Sequence, residues 1–234
     1  MKEFVENLLP YERNLFFLLN GSDSVFLDSF MRIISTTQTW LPLYLLVLFL
    51  VFYKTTSIKQ SIFITFFFIL MVTLCDQFSS GLIKPIFERL RPGHHPDFKE
   101  FVQLVNGRRG GTYSFISGHA TNSFGFAVLL SLVFRHRMIT IIALIWATFI
   151  AYSRVYLGMH FISDIIGGMI SGTLISLILY YFVLIPLRKR IFKIQDSEKT
   201  QLFSKQHGKM MWIGFAVYFV AVIFYSQIIV SFNS

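Results

Sequence analysis

Residues 161–187 read FISDIIGGMISGTLISLILYYFVLIPL, and Arg188-Lys189-Arg190 follows at once. An apolar block of this length matches a membrane-spanning helix, which needs about 20 such residues to cross the hydrocarbon layer. A basic run at the end of a span marks the side that stays in the cytoplasm. Working outward, apolar blocks recur at 139–156, 120–134, 61–82 and 39–53, and beyond the basic run at 211–232. These six segments predict an all-α, polytopic membrane bundle. Residues 8–19 and 25–34 are shorter, carry charges and are parted by Asn20-Gly21-Ser22-Asp23. They are read as N-terminal interfacial helices. One domain over 1–234 is expected, with interfacial helices over 1–38, core spans over 39–187, and a basic loop and last span over 188–234.

Composition agrees with a lipid solvent. Apolar residues make up 54% of the chain, 28 residues are Phe, and only 14% are charged. A soluble domain would have to expose much of that apolar surface. The net charge of +9 would point to nucleic acid in a soluble protein. Here the basic residues flank spans, where they report topology and meet anionic headgroups, so no nucleic-acid partner is expected. Cys75, the only cysteine, lies in an apolar block, so no intramolecular disulfide forms. The start, MKEFVE, lacks the basic region of a cleavable signal, so the spans themselves are expected to direct insertion. Loops 54–59, 135–137 and 188–209, the last with Lys199, fall on the inner side. Both termini and the polar stretch 84–117 then lie outside.

Three segments of that outer side carry chemistry. They are Lys84-Pro-Ile-Phe-Glu-Arg-Leu-Arg91-Pro92, Ser117-Gly118-His119 at the mouth of the third span, and Ser153-Arg154 with His160 and Asp164 beyond. Six spans in this orientation bring all three to one membrane face. Lys84, Arg91 and Arg154 repel one another at the edge of a low-dielectric slab unless an anion sits among them. A phosphate meets that need, and arginine offers it a bidentate fork. Backbone N–H groups of Ser117 and Gly118, at the start of an apolar helix, can also point at an anion. His160 and Asp164 share a helix face, so the carboxylate can hold one ring nitrogen and activate the other as a nucleophile. His119 is then free to act as general acid.

Blander readings stand beside these. A lone cation at a span end is commonly a snorkelling anchor. The His–Asp pair is equally a structural hydrogen bond, or half of a metal site with His94 and His95, although the cations nearby would repel a metal. Asp76, inside the second span, is a functional candidate by default. Arg89 is read as pairing with Glu88 or the membrane surface rather than extending the cradle. His94, His95, Asp97, Arg108 and Arg109 decorate the 84–117 stretch, either to read a lipid headgroup or, as in most loops, simply as polar residues facing water.

Together the three segments closely resemble the signature of the type 2 phosphatidic acid phosphatase family. Its first part, Lys, six residues, Arg-Pro, is matched by Lys84 through Arg91-Pro92. Its second, Pro-Ser-Gly-His, is matched at Ser117, Gly118 and His119, with Ile116 where proline is usual. Its third, Ser-Arg, five residues, His, three residues, Asp, is matched at Ser153, Arg154, His160 and Asp164. The resemblance implies that His160 becomes a phosphohistidine with Asp164 orienting it, and that His119 protonates the departing oxygen. Lys84, Arg91, Ser117, Gly118 and Arg154 would bind the phosphate, and no metal or cofactor is implied. The family also holds vanadium haloperoxidases, but those are soluble.

The expected partner is a membrane lipid in the bilayer, with no oligomeric state read from the chain. The expected activity is a lipid phosphatase in a bacterial plasma membrane, its site facing the periplasm or exterior. Undecaprenyl pyrophosphate is the first expectation for the substrate. A lipid A phosphatase is the alternative, followed by phosphatidylglycerophosphate and phosphatidic acid. A transporter and a binding protein that keeps only the phosphate cradle are the competing classes.

Overall fold

The computed structural model describes residues 1–54, 57–193 and 203–233. These residues form helices, with one isolated antiparallel bridge between Leu90 and Tyr113. In chain order the helices are α1 (Lys2–Glu6), α2 (Leu9–Leu19), α3 (Val25–Ser35), α4 (Leu41–Phe52), α5 (Ile58–Asp76) and α6 (Lys84–Phe87). They continue with α7 (Gly118–Phe134), α8 (Arg137–Tyr156), α9 (Ile162–Ile178), α10 (Ile185–Phe192) and α11 (Lys205–Asn233). Local sequence sets many of the starts. Ser24, Ser57 and Ser117 cap α3, α5 and α7 by accepting from the N–H of Leu27, Gln60 and Ala120. Proline occupies the first turn of α2 and α4, where its missing N–H costs nothing, and follows a wide turn of helix at the start of α6 and α10.

Two long helices extend beyond the expected limits. A wide π-type turn over Gln77–Ile83 joins α5 to α6, giving 30 residues over Ile58–Phe87. A second, over Leu179–Leu184, joins α9 to α10, giving 31 residues over Ile162–Phe192. Lys84 is therefore helical rather than the first residue of a loop, and Arg188-Lys189-Arg190 still belongs to a helix. Lysine and arginine are good helix formers, and cations are favoured near a helix C-terminus.

These two helices, Arg137–Tyr156 and Lys205–Ser231 are each long and apolar enough to cross a membrane. Val25–Ser35 and Thr37–Phe52 join at a 71° bend and pass the same test as a pair, as a broken span or re-entrant loop. Thus α3 continues into the bundle, where it packs on α8 and α11 with Phe30, Met31, Ile33 and Ile34 buried. Ile62, Phe66 and Ile69 of α5, Ile166, Ile170 and Leu174 of α9, and Val217 and Phe224 of α11 face outward. Outward apolar side chains of this kind suit hydrocarbon, and the protein is an integral membrane protein.

The 17-residue α7 forms the centre, packed on α5, α8 and α9 and buried on nearly every side. Such an all-round apolar helix belongs inside a bundle. Its approach to α9 is closest at Gly172, where a Cβ would fall 2.1 Å from the Thr121 carbonyl oxygen. Ser176 Oγ donates to the Gly125 carbonyl at 2.7 Å beside it. Small residues give membrane helices this kind of backbone contact.

The N-terminal helices close the end where the 84–117 segment lies. Buried Asn20 donates to the carbonyls of Gln103 at 3.0 Å and Tyr156 at 2.9 Å, and accepts from the Gln103 N–H at 2.8 Å. Tyr156 Oη donates to Asp28 at 2.7 Å. Rings of Phe16, Phe98 and Phe161 meet at centroid distances of 4.9 to 5.8 Å, seating α2 on the start of α9.

Candidate active site

The three signature segments meet at one end of the bundle. Ser117 N–H donates to the Asp164 carbonyl at 3.0 Å, joining the start of α7 to the start of α9. Lys84 Nζ lies 3.7 Å from where a Cβ on Gly118 would stand, and donates to Ser80 Oγ at 3.3 Å. The carbonyl of Arg154, at the end of α8, accepts from the N–H groups of Met159 at 2.9 Å and His160 at 3.2 Å. Arg91 follows a clasp in which Leu90 bridges Tyr113, and its Nε donates to the Tyr113 carbonyl at 3.1 Å. Gly110, at φ +68°, allows the loop to lie on that guanidinium: a Cβ there would sit 2.5 Å from Arg91 Nη1.

One donor differs from expectation. The Ser117 N–H is taken by the Asp164 carbonyl, and the Ser117 hydroxyl caps α7 at 3.4 Å from the Ala120 N–H. The N–H groups of Gly118 and His119, in the first turn of α7, have no acceptor within the helix.

His160 and Asp164 are both buried, with His160 Nδ1 3.4 Å from Asp164 Oδ2. That oxygen also accepts from the Phe161 N–H at 2.9 Å, which caps α9. Burial, with Arg91, Arg154 and Lys84 adding to it, pushes the His160 pKa well below its ordinary value. The ring is therefore neutral at pH 7. With Nδ1 facing an acceptor-only carboxylate, the proton sits on Nδ1 and Nε2 keeps its lone pair. His119 Nε2 is 3.1 Å from the Ser35 carbonyl, to which it donates. The guanidinium of Arg154, nearly buried, hydrogen-bonds Ser35 Oγ.

Arg89 is not where the sequence reading put it. Glu88 adopts the left-handed conformation at φ 45° and ends α6, which turns Arg89 inward to full burial. Its Nη2 pairs with Glu12 Oε1 at 2.6 Å and its Nη1 with Asp164 Oδ1 at 2.8 Å. Asp76 is exposed, and its charge acts on Lys84. His95 pairs with Glu6 at 3.1 Å, tying α1 to the loop, while His94 is partly buried. Arg108 and Arg109 are exposed. Among the described residues no group of three or more His, Cys, Asp or Glu could hold a metal ion. Of the cations assigned to the inner loops, Lys199 lies outside the described residues.

From this polar end an apolar cavity of about 500 Å³ runs between α4, α5 and α7. His119 and Ser35 stand at its head, and Trp40, Tyr44, Phe126 and Val51 line it.

The PAP2 superfamily model matches residues 62–188, more than half of the chain and all three segments. The chain is 44% identical to the lipid A 4'-phosphatase of Porphyromonas gingivalis over 178 residues, 75% of this chain and 74% of that one. It is 34% identical to the lipid A 4'-phosphatase of Bacteroides thetaiotaomicron over 188 residues, 80% and 83% of the two chains. The crystal structure of Aquifex aeolicus LpxE superposes with a TM-score of 0.55 at 26% identity, over 73% of this chain and 96% of that one. The chain belongs to the PAP2 superfamily, and it is a lipid phosphatase embedded in the membrane.

Proposed function

We propose that the protein removes a phosphate monoester from lipid A through a phosphohistidine on His160, at the outer face of a bacterial plasma membrane. One observation carries the chemistry: a neutral His160, held on one side by Asp164, lies within reach of the charges of Arg91, Arg154 and Lys84, while His119 stands at the head of an apolar cavity. The cradle offsets the charge of a phosphate, and the cavity gives a hydrocarbon chain a place beside it. His160 Nε2 attacks phosphorus as the bond to the lipid oxygen breaks. His119, whose Nε2–H is held by the Ser35 carbonyl, takes up a second proton at Nδ1 when the negative charge of the bound phosphate sits beside it, and gives that Nδ1 proton to the oxygen. The new N–P bond leaves an imidazolium cation, which Asp164 stabilises across Nδ1. Water then attacks the phosphohistidine, His119 takes its proton, and inorganic phosphate is released.

The substrate rests on relatives. Two curated relatives that share most of their length with this chain are named for lipid A, which favours that substrate over undecaprenyl pyrophosphate. The orientation rests on the basic run after residue 187.

The test is phosphate release in detergent, with EDTA present, from lipid A, undecaprenyl pyrophosphate, phosphatidylglycerophosphate and phosphatidic acid. Release is expected to be fastest from lipid A and to fall at least about 1,000-fold in His160→Ala, the scale of losing a nucleophile. Faster release from undecaprenyl pyrophosphate would replace the substrate and leave the mechanism. Undiminished release in His160→Ala would remove the mechanism.

A further inference from the structure

Glu12 lies outside the three signature segments, yet it is buried beside them. It comes from α2, a helix near the N-terminus, and its side chain is 9% exposed. Glu12 Oε2 accepts from the Ser163 N–H at 2.7 Å, so it satisfies one of the free donors at the start of α9. Glu12 Oε1 accepts from Ser163 Oγ at 2.8 Å and from Arg89 Nη2 at 2.6 Å. Arg89 spans the remaining distance: its Nη1 reaches Ser163 Oγ at 2.6 Å and Asp164 Oδ1 at 2.8 Å. Its guanidinium also lies 4.4 Å from the centre of the Phe161 ring. Asp164 thus has one oxygen fixed by Arg89, and the other fixed by the Phe161 N–H and facing His160.

We propose that Glu12 and Arg89 are positioning residues of the phosphatase, with Glu12 acting through Arg89 on Asp164. Arg89 alone would hold the Asp164 carboxylate still but would cancel its charge. Glu12 takes up the charge of Arg89, so the trio Glu12, Arg89 and Asp164 carries a net −1. That single negative charge remains to stabilise the imidazolium cation formed when His160 Nε2 bonds to phosphorus. The carboxylate is thereby both oriented and kept electrostatically available in a buried setting where water cannot do either. The proposal rests on the reading of His160 as the nucleophile and Asp164 as its orienting group.

The test is steady-state phosphate release from lipid A by purified full-length protein, with Glu12→Gln, Asp164→Asn and the double variant beside wild type. Glu12→Gln keeps the size of the side chain and removes its charge. Its kcat is expected to fall about 10- to 100-fold, the range seen for groups that orient a reacting residue. KM, and the concentration of inorganic phosphate that halves activity, are expected to stay within about twofold, because Glu12 does not touch the phosphate cradle. Glu12→Asp should recover part of the lost kcat.

The double variant is expected to be no slower than Asp164→Asn alone, since Glu12 has nothing to act on once that carboxylate is gone. Independent, multiplying losses, or a full-rate Glu12→Gln, would overturn the proposal. Wild-type kcat in Asp164→Asn would instead sink the reading beneath it. If Glu12→Gln does not fold, Ser163→Ala removes the hydroxyl between Glu12 and Arg89 without stranding a charge. A loss confined to kcat and absent in the Asp164→Asn background would support the proposal there, and any other pattern would overturn it.

Discussion

His160 ties catalysis to acid stability. Its pKa is depressed in the folded protein, so the folded state binds fewer protons than the unfolded chain as pH falls. The stability that comes from keeping this ring neutral is complete above about pH 6.5, the ordinary histidine value. Below it, stability drops by at most about 1.4 kcal/mol per pH unit. Melting of wild type beside His160→Asn in detergent, between about pH 7.5 and 5, checks this, with wild type expected to lose more stability. Ser35 gives a second residue-scale prediction. Its hydroxyl meets the nearly buried guanidinium of Arg154, so Ser35→Ala should cost about 1–3 kcal/mol by stranding a polar group. The activity left should show a raised KM, because Arg154 belongs to the cradle. The residues proposed to react were legible as candidates in the sequence because His160 and Asp164 stand four apart and the cations sit at span ends. Glu12, Ser35 and Ser163 were not. Glu12 and Ser35 reach the site across the fold, from helices whose sequence shows only an apolar segment with a few polar positions, and Ser163 stands beside Asp164 as a residue the signature leaves unspecified. Arg89 was misread because Glu88 is its neighbour in sequence, while the left-handed turn at Glu88 sends it toward Asp164.

At the scale of elements, the contact between α7 and α9 holds the site together. The Ser117 N–H meets the Asp164 carbonyl one end of that contact, and Gly172 lies farther along it. A valine at Gly172 would place its Cβ 2.1 Å from the Thr121 carbonyl oxygen, far inside van der Waals contact, and force the helices apart. Gly172→Val is expected to lower stability by at least about 1–3 kcal/mol, seen as a lower melting temperature, and to reduce kcat by disturbing the spacing of His119 and Asp164. Gly111→Ala is the control, since a Cβ there meets nothing within 4 Å. The spans were legible as apolar blocks. Their ends were not, because the π-type turns at Gln77–Ile83 and Leu179–Leu184 carry helix past residues that look like loop. The 25–34 segment looked interfacial for its Asp28 and Arg32. In the fold, Asp28 is engaged by Tyr156, so the helix can lean on α8 and α11.

For the whole molecule, the site and the basic end of α10 lie at opposite ends of the bundle. This gives the topology a direct test. In a Cys75→Ser background, Arg108→Cys is expected to react with a membrane-impermeant maleimide on intact cells, and Lys193→Cys only after permeabilisation. The reverse pattern would turn the protein over and place phosphate release in the cytoplasm. Activity should persist in the Cys75→Ser background, since Cys75 is buried in α5, away from the signature residues.

The cavity behind His119 gives this architecture a directional character. At His119 the apolar cavity meets the charged cradle, so the scissile bond lies at a boundary between oil and water. Once it breaks, the two products belong to different phases: the lipid retreats sideways into hydrocarbon, and phosphate departs through the polar mouth. Reversal would require both to return to one point from separate compartments. Geometry thereby gives the two products separate exits, while their concentrations in the two phases set the direction of the reaction.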